Sequence, residues 1–172
     1  MKRRSVLSIS AITVLGLALL PSSASGQQKS LKDQLVGAWT LVSSDITAPD
    51  GTKRQSYLGS NPKGILILDA SGRYAYVAGR PDRPKFKTSG NARLEGTAEE
   101  FTAAARAFAA NFGTWSVNEA DKTLTTRYEA ALVPNNEGME LKWSNSLAGD
   151  ELKLSSNRPN GGRVEDVYRR AK

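Results

Sequence analysis

Apolar and polar residues alternate with a period of two along most of the chain after residue 35. Met139, Leu141 and Trp143 share one face of such a segment, and Glu140 and Lys142 share the other. A period of two is typical of a β-strand with one buried face. The pattern predicts about eight strands, over residues 35–44, 64–68, 73–78, 114–117, 122–129, 139–144, 151–155 and 163–170.

Short turn sequences separate these segments. Asp69-Ala70-Ser71-Gly72 joins the second predicted strand to the third, so these two strands are expected to be adjacent and antiparallel. The commonest closed arrangement of about eight antiparallel strands is an up-and-down barrel, and closure removes exposed strand edges. We therefore predict a mainly β fold, a single antiparallel barrel. An open sandwich with a similar number of strands is the alternative.

Residues 97–112 interrupt the β pattern. Thr97 and Glu100 have the spacing of a capping box, in which each side chain satisfies a free backbone N–H of the other residue. One helical stripe is then formed by Phe101, Ala105, Phe108 and Phe112. Gly113 is expected to end the helix. The sequence thus predicts one helix between the third and fourth strands, which either packs over the sheet or acts as a lid.

The first 26 residues have the pattern of a secretory signal peptide. A basic start, Met1-Lys2-Arg3-Arg4, precedes an apolar run that Ser8 and Ser10 dilute. A membrane span needs about 20 uninterrupted apolar residues, so the segment predicts a cleaved leader and no stable membrane anchor. The paired arginines also fit the twin-arginine export pattern. We expect a periplasmic or secreted bacterial protein.

Three regions follow from this division. They are a signal peptide over residues 1–26, a polar N-terminal tether over 27–34 and the barrel domain over 35–172. The barrel region is long enough to bury the core of one domain.

Composition removes several kinds of chemistry. The chain has no cysteine and no histidine, so disulfides, thiolate nucleophiles, Ser-His-Asp triads and imidazole metal sites are excluded. Without the leader the chain has 21 basic and 17 acidic residues, a net charge of +4. Basic residues alternate with acidic ones and form no concentrated patch, which argues against nucleic acid as a partner. The sequence predicts no metal and no cofactor, and it leaves the oligomeric state open.

Gly37-Ala38-Trp39 resembles the Gly-X-Trp element on the first strand of lipocalins. Further segments, in order, are Asn61 to Ile67, Arg80-Pro81-Asp82-Arg83-Pro84-Lys85-Phe86 and Gly96-Thr97-Ala98-Glu99-Glu100. Together they are similar to the bacterial and fungal lipocalin-like domain family, a branch distinct from the classical lipocalins. The resemblance covers residues from about 35 to 170. It implies a barrel with Trp39 packed at the closed end, and it implies no shared catalytic residues.

The sequence departs from this family on one strand. Family members commonly carry histidines on the strand that corresponds to Leu124–Glu129, where this chain has Thr126 and Arg127. Acid–base chemistry that depends on those histidines is closed to this chain. The departure weighs against an enzyme, although it does not decide the question.

Alternation on the predicted strands places aromatic rings and a few hydroxyls on the inner face. The candidate ligand-binding residues are Tyr74, Tyr76, Arg80, Thr126, Tyr128 and Trp143. Rings of this kind also form ordinary cores. Arg80 follows the third strand, where its guanidinium would either meet a ligand anion or form an ion pair with Asp82, Glu99 or Glu100.

Three hypotheses for function follow. The leading one is an exported barrel that binds a small hydrophobic or aromatic molecule and needs no cofactor. The second is an isomerase or cyclase that uses the barrel interior, which predicts an internal carboxyl group with a raised pKa. The third is a barrel with a filled core that acts through loop contacts with a partner. The size and lining of the interior distinguish these hypotheses.

Overall fold

The computed structural model describes residues 29–158 and 161–172. The predicted signal peptide lies outside the described residues. The strands are β1 Gly37–Thr47, β2 Lys53–Gln55, β3 Lys63–Leu68, β4 Arg73–Gly79, β5 Phe108–Asn118, β6 Thr123–Ala131, β7 Glu140–Ala148, β8 Glu151–Asn157 and β9 Arg163–Arg170. The helices are α1 Leu31–Leu35, α2 Ala92–Glu95 and α3 Ala98–Arg106, with a 3-10 turn at Pro134–Asn136.

Eight of the strands close into a barrel. They follow the order β1-β3-β4-β5-β6-β7-β8-β9, each neighbouring pair is antiparallel, and β9 pairs again with β1. The short strand β2 is an addition that pairs with the last residues of β1. The prediction of a mainly β antiparallel barrel is therefore confirmed. The alternative of an open sandwich is wrong, because the last strand, β9, pairs with the first strand, β1, and closes the sheet.

The predicted position of the helix is not matched. Both α2 and α3 follow β4, whereas the prediction placed one helix between the third and fourth strands. The cause is β2, a three-residue strand that the sequence pattern did not reveal and that adds one to the count. The loop that precedes α3 packs on this helix, since the rings of Phe86 and Phe101 meet edge to face at 5.2 Å.

The predicted helix is also shorter than expected. Its capping box at Thr97 and Glu100 is present, but the helix ends at Arg106, and residues 108–118 form β5. Phe112 consequently lies on the outer face of the barrel, 46% exposed. The alanine-rich segment has local helix propensity, but β5 gains ladder hydrogen bonds on both sides, from β4 and from β6.

Gly113 has a role other than the predicted helix cap. It lies within β5 next to a β-bulge opposite Tyr128, and a Cβ atom at this position would approach the carbonyl oxygen of Arg127 to 1.9 Å. Only glycine permits so close an approach of β5 to β6.

One end of the barrel is closed by the N-terminal segment. Part of the predicted tether folds as α1, and the buried Trp39 donates its indole N–H to the carbonyl oxygen of Leu35 at 2.8 Å. The guanidinium of Arg170 lies 4.1 Å from the centre of the Trp39 ring and donates to the carbonyl oxygens of Val36 and Gln34. Trp39 therefore packs at the closed end, as the resemblance implied.

Candidate functional site

The barrel interior contains a cavity of about 410 Å³. Small-molecule sites usually have volumes of about 300 to 1,000 Å³. The cavity reaches the end of α3 and the segment after β6, where it is lined by Ala105, Arg106, Leu132, Val133 and Asn136. A cavity of this size argues against the hypothesis of a filled core.

All five tyrosines of the chain line this cavity. They come from four separate parts of the fold and are Tyr57, Tyr74, Tyr76, Tyr128 and Tyr168. Burial raises the pKa of each of the five phenols above its ordinary value. Their hydroxyls therefore stay neutral around pH 7 and offer both hydrogen-bond donors and acceptors to a ligand.

The structure brings five of the six predicted site residues together. Tyr74, Tyr76, Thr126, Tyr128 and Trp143 all line the cavity. The hydroxyl of Tyr74 donates to Asn111 Oδ1 at 2.9 Å, and the indole N–H of Trp143 donates to Thr126 Oγ1 at 3.1 Å. These two side-chain pairs fix the orientation of their rings. The placement follows from alternation on β4, β6 and β7, because residues two apart share a face.

Arg80 is the exception, since it lies outside the cavity. Its guanidinium forms a two-point contact with Asp82, at 2.9 Å from Nε and 2.6 Å from one terminal nitrogen. This is one of the ion pairs that the sequence offered as the alternative to ligand binding. The arginine is thereby held within its own loop and does not face the barrel interior.

Glu129 also faces away from the interior. Its carboxylate forms an ion pair with Arg73 on the outer surface, and this contact holds the pKa of Glu129 below its ordinary value. This orientation follows from strand alternation, because Glu129 is the neighbour of Tyr128, which lines the cavity.

The most unusual lining residue is Asp166 on β9. It is 6% exposed, and its Oδ2 accepts a hydrogen bond of 3.3 Å from the hydroxyl of Tyr168. Its Oδ1 is buried and has no hydrogen-bond partner among the described residues. Buried polar atoms are normally hydrogen-bonded, so an acceptor without a donor in a cavity wall is a feature that needs a physical explanation.

Burial is the main influence on the charge of Asp166. Loss of solvation raises the pKa of this carboxyl group, while the hydroxyls of Ser44 and Tyr168 and the charge of Arg158 act in the opposite direction. A β-bulge in β1 between Leu41 and Ser43 aligns Ser44 with Asp166 across the ladder. The second hypothesis predicted an internal carboxyl group with a raised pKa, and Asp166 is such a group.

Two arginines, Arg106 and Arg158, line the cavity together with these residues. Arg106 is the last residue of α3, and Arg158 follows the end of β8. The charge of Arg158 lowers the pKa of Tyr57 and Tyr128 as well as that of Asp166, although burial outweighs it in each case. The site therefore combines apolar walls, phenols, one carboxyl group and two cations.

Sequence reasoning missed Asp166, Asn111 and Arg158. A signal for Asp166 was present, because Val164, Asp166 and Tyr168 alternate on the last strand and so share the inner face. Asn111 falls within the predicted helix, and a helical pattern does not show that this residue faces inward on strand β5. For Arg158, which follows a strand end, the alternation pattern gave no signal.

Metal binding finds no support in the described part of the chain. Across residues 29–158 and 161–172, no three acidic side chains gather in a group that would hold a metal ion.

Within the same residues, none of the helices has the length and apolar character required to span a membrane.

Comparison with known proteins assigns the fold to a family. The model of the lipocalin-like domain matches residues 36–167, which is most of the chain. The chain therefore belongs to the lipocalin-like domain family, and the resemblance noted in its sequence is confirmed. No curated protein matches the chain.

Three solved structures show low similarity to the chain. A redesigned β-barrel is 14% identical, covers 84% of this chain and 100% of its own, and has a TM-score of 0.42. A lipocalin-like protein from Bacteroides uniformis is 14% identical, with 80% and 98% coverage and a TM-score of 0.42. A point mutant of the fluorescent protein UnaG is 13% identical, with 81% and 97% coverage and a TM-score of 0.36. TM-scores below 0.5 are too low to support an inference about this chain.

Proposed function

We propose that this protein binds a small hydrophobic or aromatic molecule inside its barrel. The observation that carries the proposal is the cavity of about 410 Å³, which lies among apolar side chains and five tyrosines. Leu66, Leu124 and Leu154 supply apolar wall, and the phenols supply a few polar contacts that would orient the ligand. Membership of a lipocalin-like family supports a role in small-molecule binding.

A neutral fluorescent probe tests this function directly. N-phenylnaphthylamine fluoresces strongly when it leaves water, so titration with the purified protein should give a saturable rise in emission. The variant Ala109→Leu places extra carbon in the cavity wall. It should lower the affinity for the probe by about tenfold or more, because overpacking of this kind costs about 1–3 kcal/mol.

The matched control is Ala75→Leu on the neighbouring strand β4. Ala75 lies between two tyrosines that line the cavity and does not itself line it, so it points to the outer face. This variant should bind the probe as the wild type does. Equal loss of affinity in both variants, or no saturable signal in the wild type, would contradict the proposal.

Native mass spectrometry of protein purified from its own host gives an independent test. A bound molecule should appear as a mass above that of the chain and should be lost on unfolding. If the protein is always empty, and lipophilic extracts of the host produce no thermal shift, the binding function is refuted.

A second candidate function is favoured by Asp166. A buried carboxyl group with a raised pKa, hydrogen-bonded to a phenol in a cavity wall, is equipped to donate or accept a proton during an isomerisation or cyclisation. An isomerisation, or a cyclisation that releases no leaving group, conserves mass, so incubation with host extract should convert one compound into another of the same mass and different chromatographic retention. The Asp166→Asn variant should abolish this conversion. If the protein binds a compound but does not convert it, the enzyme function is refuted and only the binding function remains.

We also propose that the protein is exported. The proposal depends on the basic start and apolar run within residues 1–26. Expression of the full chain in a bacterial host should give a periplasmic or secreted product that lacks the leader, and sequencing of the N-terminus would locate the cleavage site. A full-length product that remains in the cytoplasm would refute export.

A further inference from the structure

The unpaired oxygen of Asp166 indicates what kind of ligand the cavity accepts. Oδ1 is buried, the side chain is 6% exposed, and no described residue donates a hydrogen bond to this atom. The other oxygen, Oδ2, accepts from Tyr168. An unsatisfied buried acceptor is costly, and it costs more when the group is charged. Asp166 lines the cavity, so a ligand whose own donor reaches Oδ1 after a rotation of the buried carboxyl group would remove this cost.

The surroundings of Asp166 favour a positively charged donor. Tyr57, Tyr76, Tyr128 and Tyr168 line the same cavity and interact electrostatically with Asp166. These four phenols come from the β2–β3 connection and from β4, β6 and β9. Their rings offer faces to a cation, and their oxygens offer further acceptors. A carboxylate that shares a cavity with several tyrosines is suited to a protonated nitrogen.

The other charged groups near Asp166 do not already perform this role. Arg158 is exposed beyond the end of β8, and Oδ1 remains without a donor although Arg158 lines the same cavity. Asp45, on β1, adds a second negative charge that acts on Asp166. Across the ladder, Ser44 faces Asp166 and its hydroxyl lowers the pKa of this carboxyl group, yet Oδ1 remains without a hydrogen bond. The charges of Arg158 and of Arg106, which also lines the cavity, repel a bound cation, so an amine depends on its hydrogen bond to the buried carboxylate to outweigh them.

We propose that the cavity takes a hydrophobic amine, whose protonated nitrogen donates a hydrogen bond to Oδ1 of Asp166 while its carbon skeleton packs against the leucine walls. This inference rests on the proposed binding function and specifies the chemical class of the ligand. No covalent step is involved. The amine supplies the hydrogen bond that Oδ1 lacks, and this hydrogen bond offsets part of the free-energy cost of removing the carboxylate from water.

Three probes with one carbon skeleton test the inference. Phenylbutylamine, phenylbutanol and phenylbutyrate carry an ammonium, a hydroxyl and a carboxylate at the same terminal position. Isothermal titration of the wild-type protein at neutral pH should show that the amine binds at least about tenfold more tightly than the alcohol. The carboxylate should bind most weakly, because it would face Asp166.

The Asp166→Asn variant removes the charge while it keeps the shape of the side chain. It should bind the amine about tenfold or more weakly than the wild type and bind the alcohol as the wild type does. The matched control is Asp82→Asn, which removes an equal charge from a residue ion-paired in a surface loop. It should leave all three affinities unchanged.

Each outcome decides the question. If the amine and the alcohol bind equally well, or if phenylbutyrate binds most tightly, the amine inference is overturned while the binding function stands. If neither these probes nor N-phenylnaphthylamine binds, both fail together. The comparison of probes on the wild-type protein is sufficient even if the Asp166→Asn variant does not fold.

Discussion

The buried carboxyl group of Asp166 predicts an increase in stability when its charge is removed. In the protein without ligand, Asp166→Asn replaces an ionisable group whose Oδ1 lacks a donor with a neutral amide of nearly the same shape. Burial raises the pKa of Asp166, so the folded protein loses stability when this carboxyl group ionises. A buried group without a hydrogen-bond partner costs about 1–3 kcal/mol, and more when it is charged, so we expect the variant to gain on the order of 1 kcal/mol, which raises Tm by about 3 °C in a domain of this size.

The gain should depend on pH in a defined direction. The pKa of Asp166 is higher in the folded state than in the unfolded chain, where it is about 3.9. Below this value the residue is neutral in both states, so its charge costs nothing. As the pH rises through the folded-state pKa, the wild-type protein must ionise a buried group and loses stability. The advantage of the asparagine variant should therefore be absent at pH 3 and should grow as the pH rises toward neutrality.

Urea unfolding of both proteins at several pH values between about 3 and 8 measures this difference. The control Asp82→Asn should show no such gain, because Arg80 lowers the pKa of Asp82 and the ion pair favours its charged form. An asparagine variant that is less stable than the wild type near pH 7, or a gain of equal size at every pH, would refute the account of Asp166 as an uncompensated buried charge.

Three further predictions test other parts of the structure. Trp39→Ala should lower the free energy of unfolding, measured in urea, by about 3–5 kcal/mol, because this fully buried ring fills the closed end. A clearly smaller loss would contradict this packing role. Gly113→Ala should cost about 3 kcal/mol or more, because its Cβ meets the Arg127 carbonyl. Gly138→Ala meets no atom within 4 Å and carries only the strain of its φ of +79°, so it should cost less in thermal unfolding. Arg80→Ala should leave the affinity for N-phenylnaphthylamine unchanged in the fluorescence titration, since Arg80 lies outside the cavity; a tenfold loss would place it in the site.

Much of the candidate site could be predicted from strand alternation alone. Tyr74 and Tyr76 share a face because they are two residues apart on β4, and Thr126 and Tyr128 do so on β6. The same rule, applied to β9, would have placed Asp166 beside Tyr168. Arg80 could not be assigned, because a loop residue has no periodic face and its partner is decided by three-dimensional contacts.

The length of the predicted helix shows where local sequence stops being sufficient. Residues 101–112 have a helical stripe, yet only residues up to Arg106 form α3. From Phe108 onward the backbone is paired on both sides, with β4 and β6, and these partners lie far away in sequence. Pairing with distant strands outweighed a local preference that amounts to a fraction of a kcal/mol per residue.

The sequence by itself determined the class of fold, the family, the order of most strands and the aromatic inner face. These features depend on the spacing of residues within single segments and on short turns, which local sequence records. Only the tertiary structure decided that β9 pairs with β1, how large the interior is, and that Asp166 lies buried with one oxygen unpaired. Closure, bulges and burial depend on strands that are remote in sequence, so no local pattern specifies them.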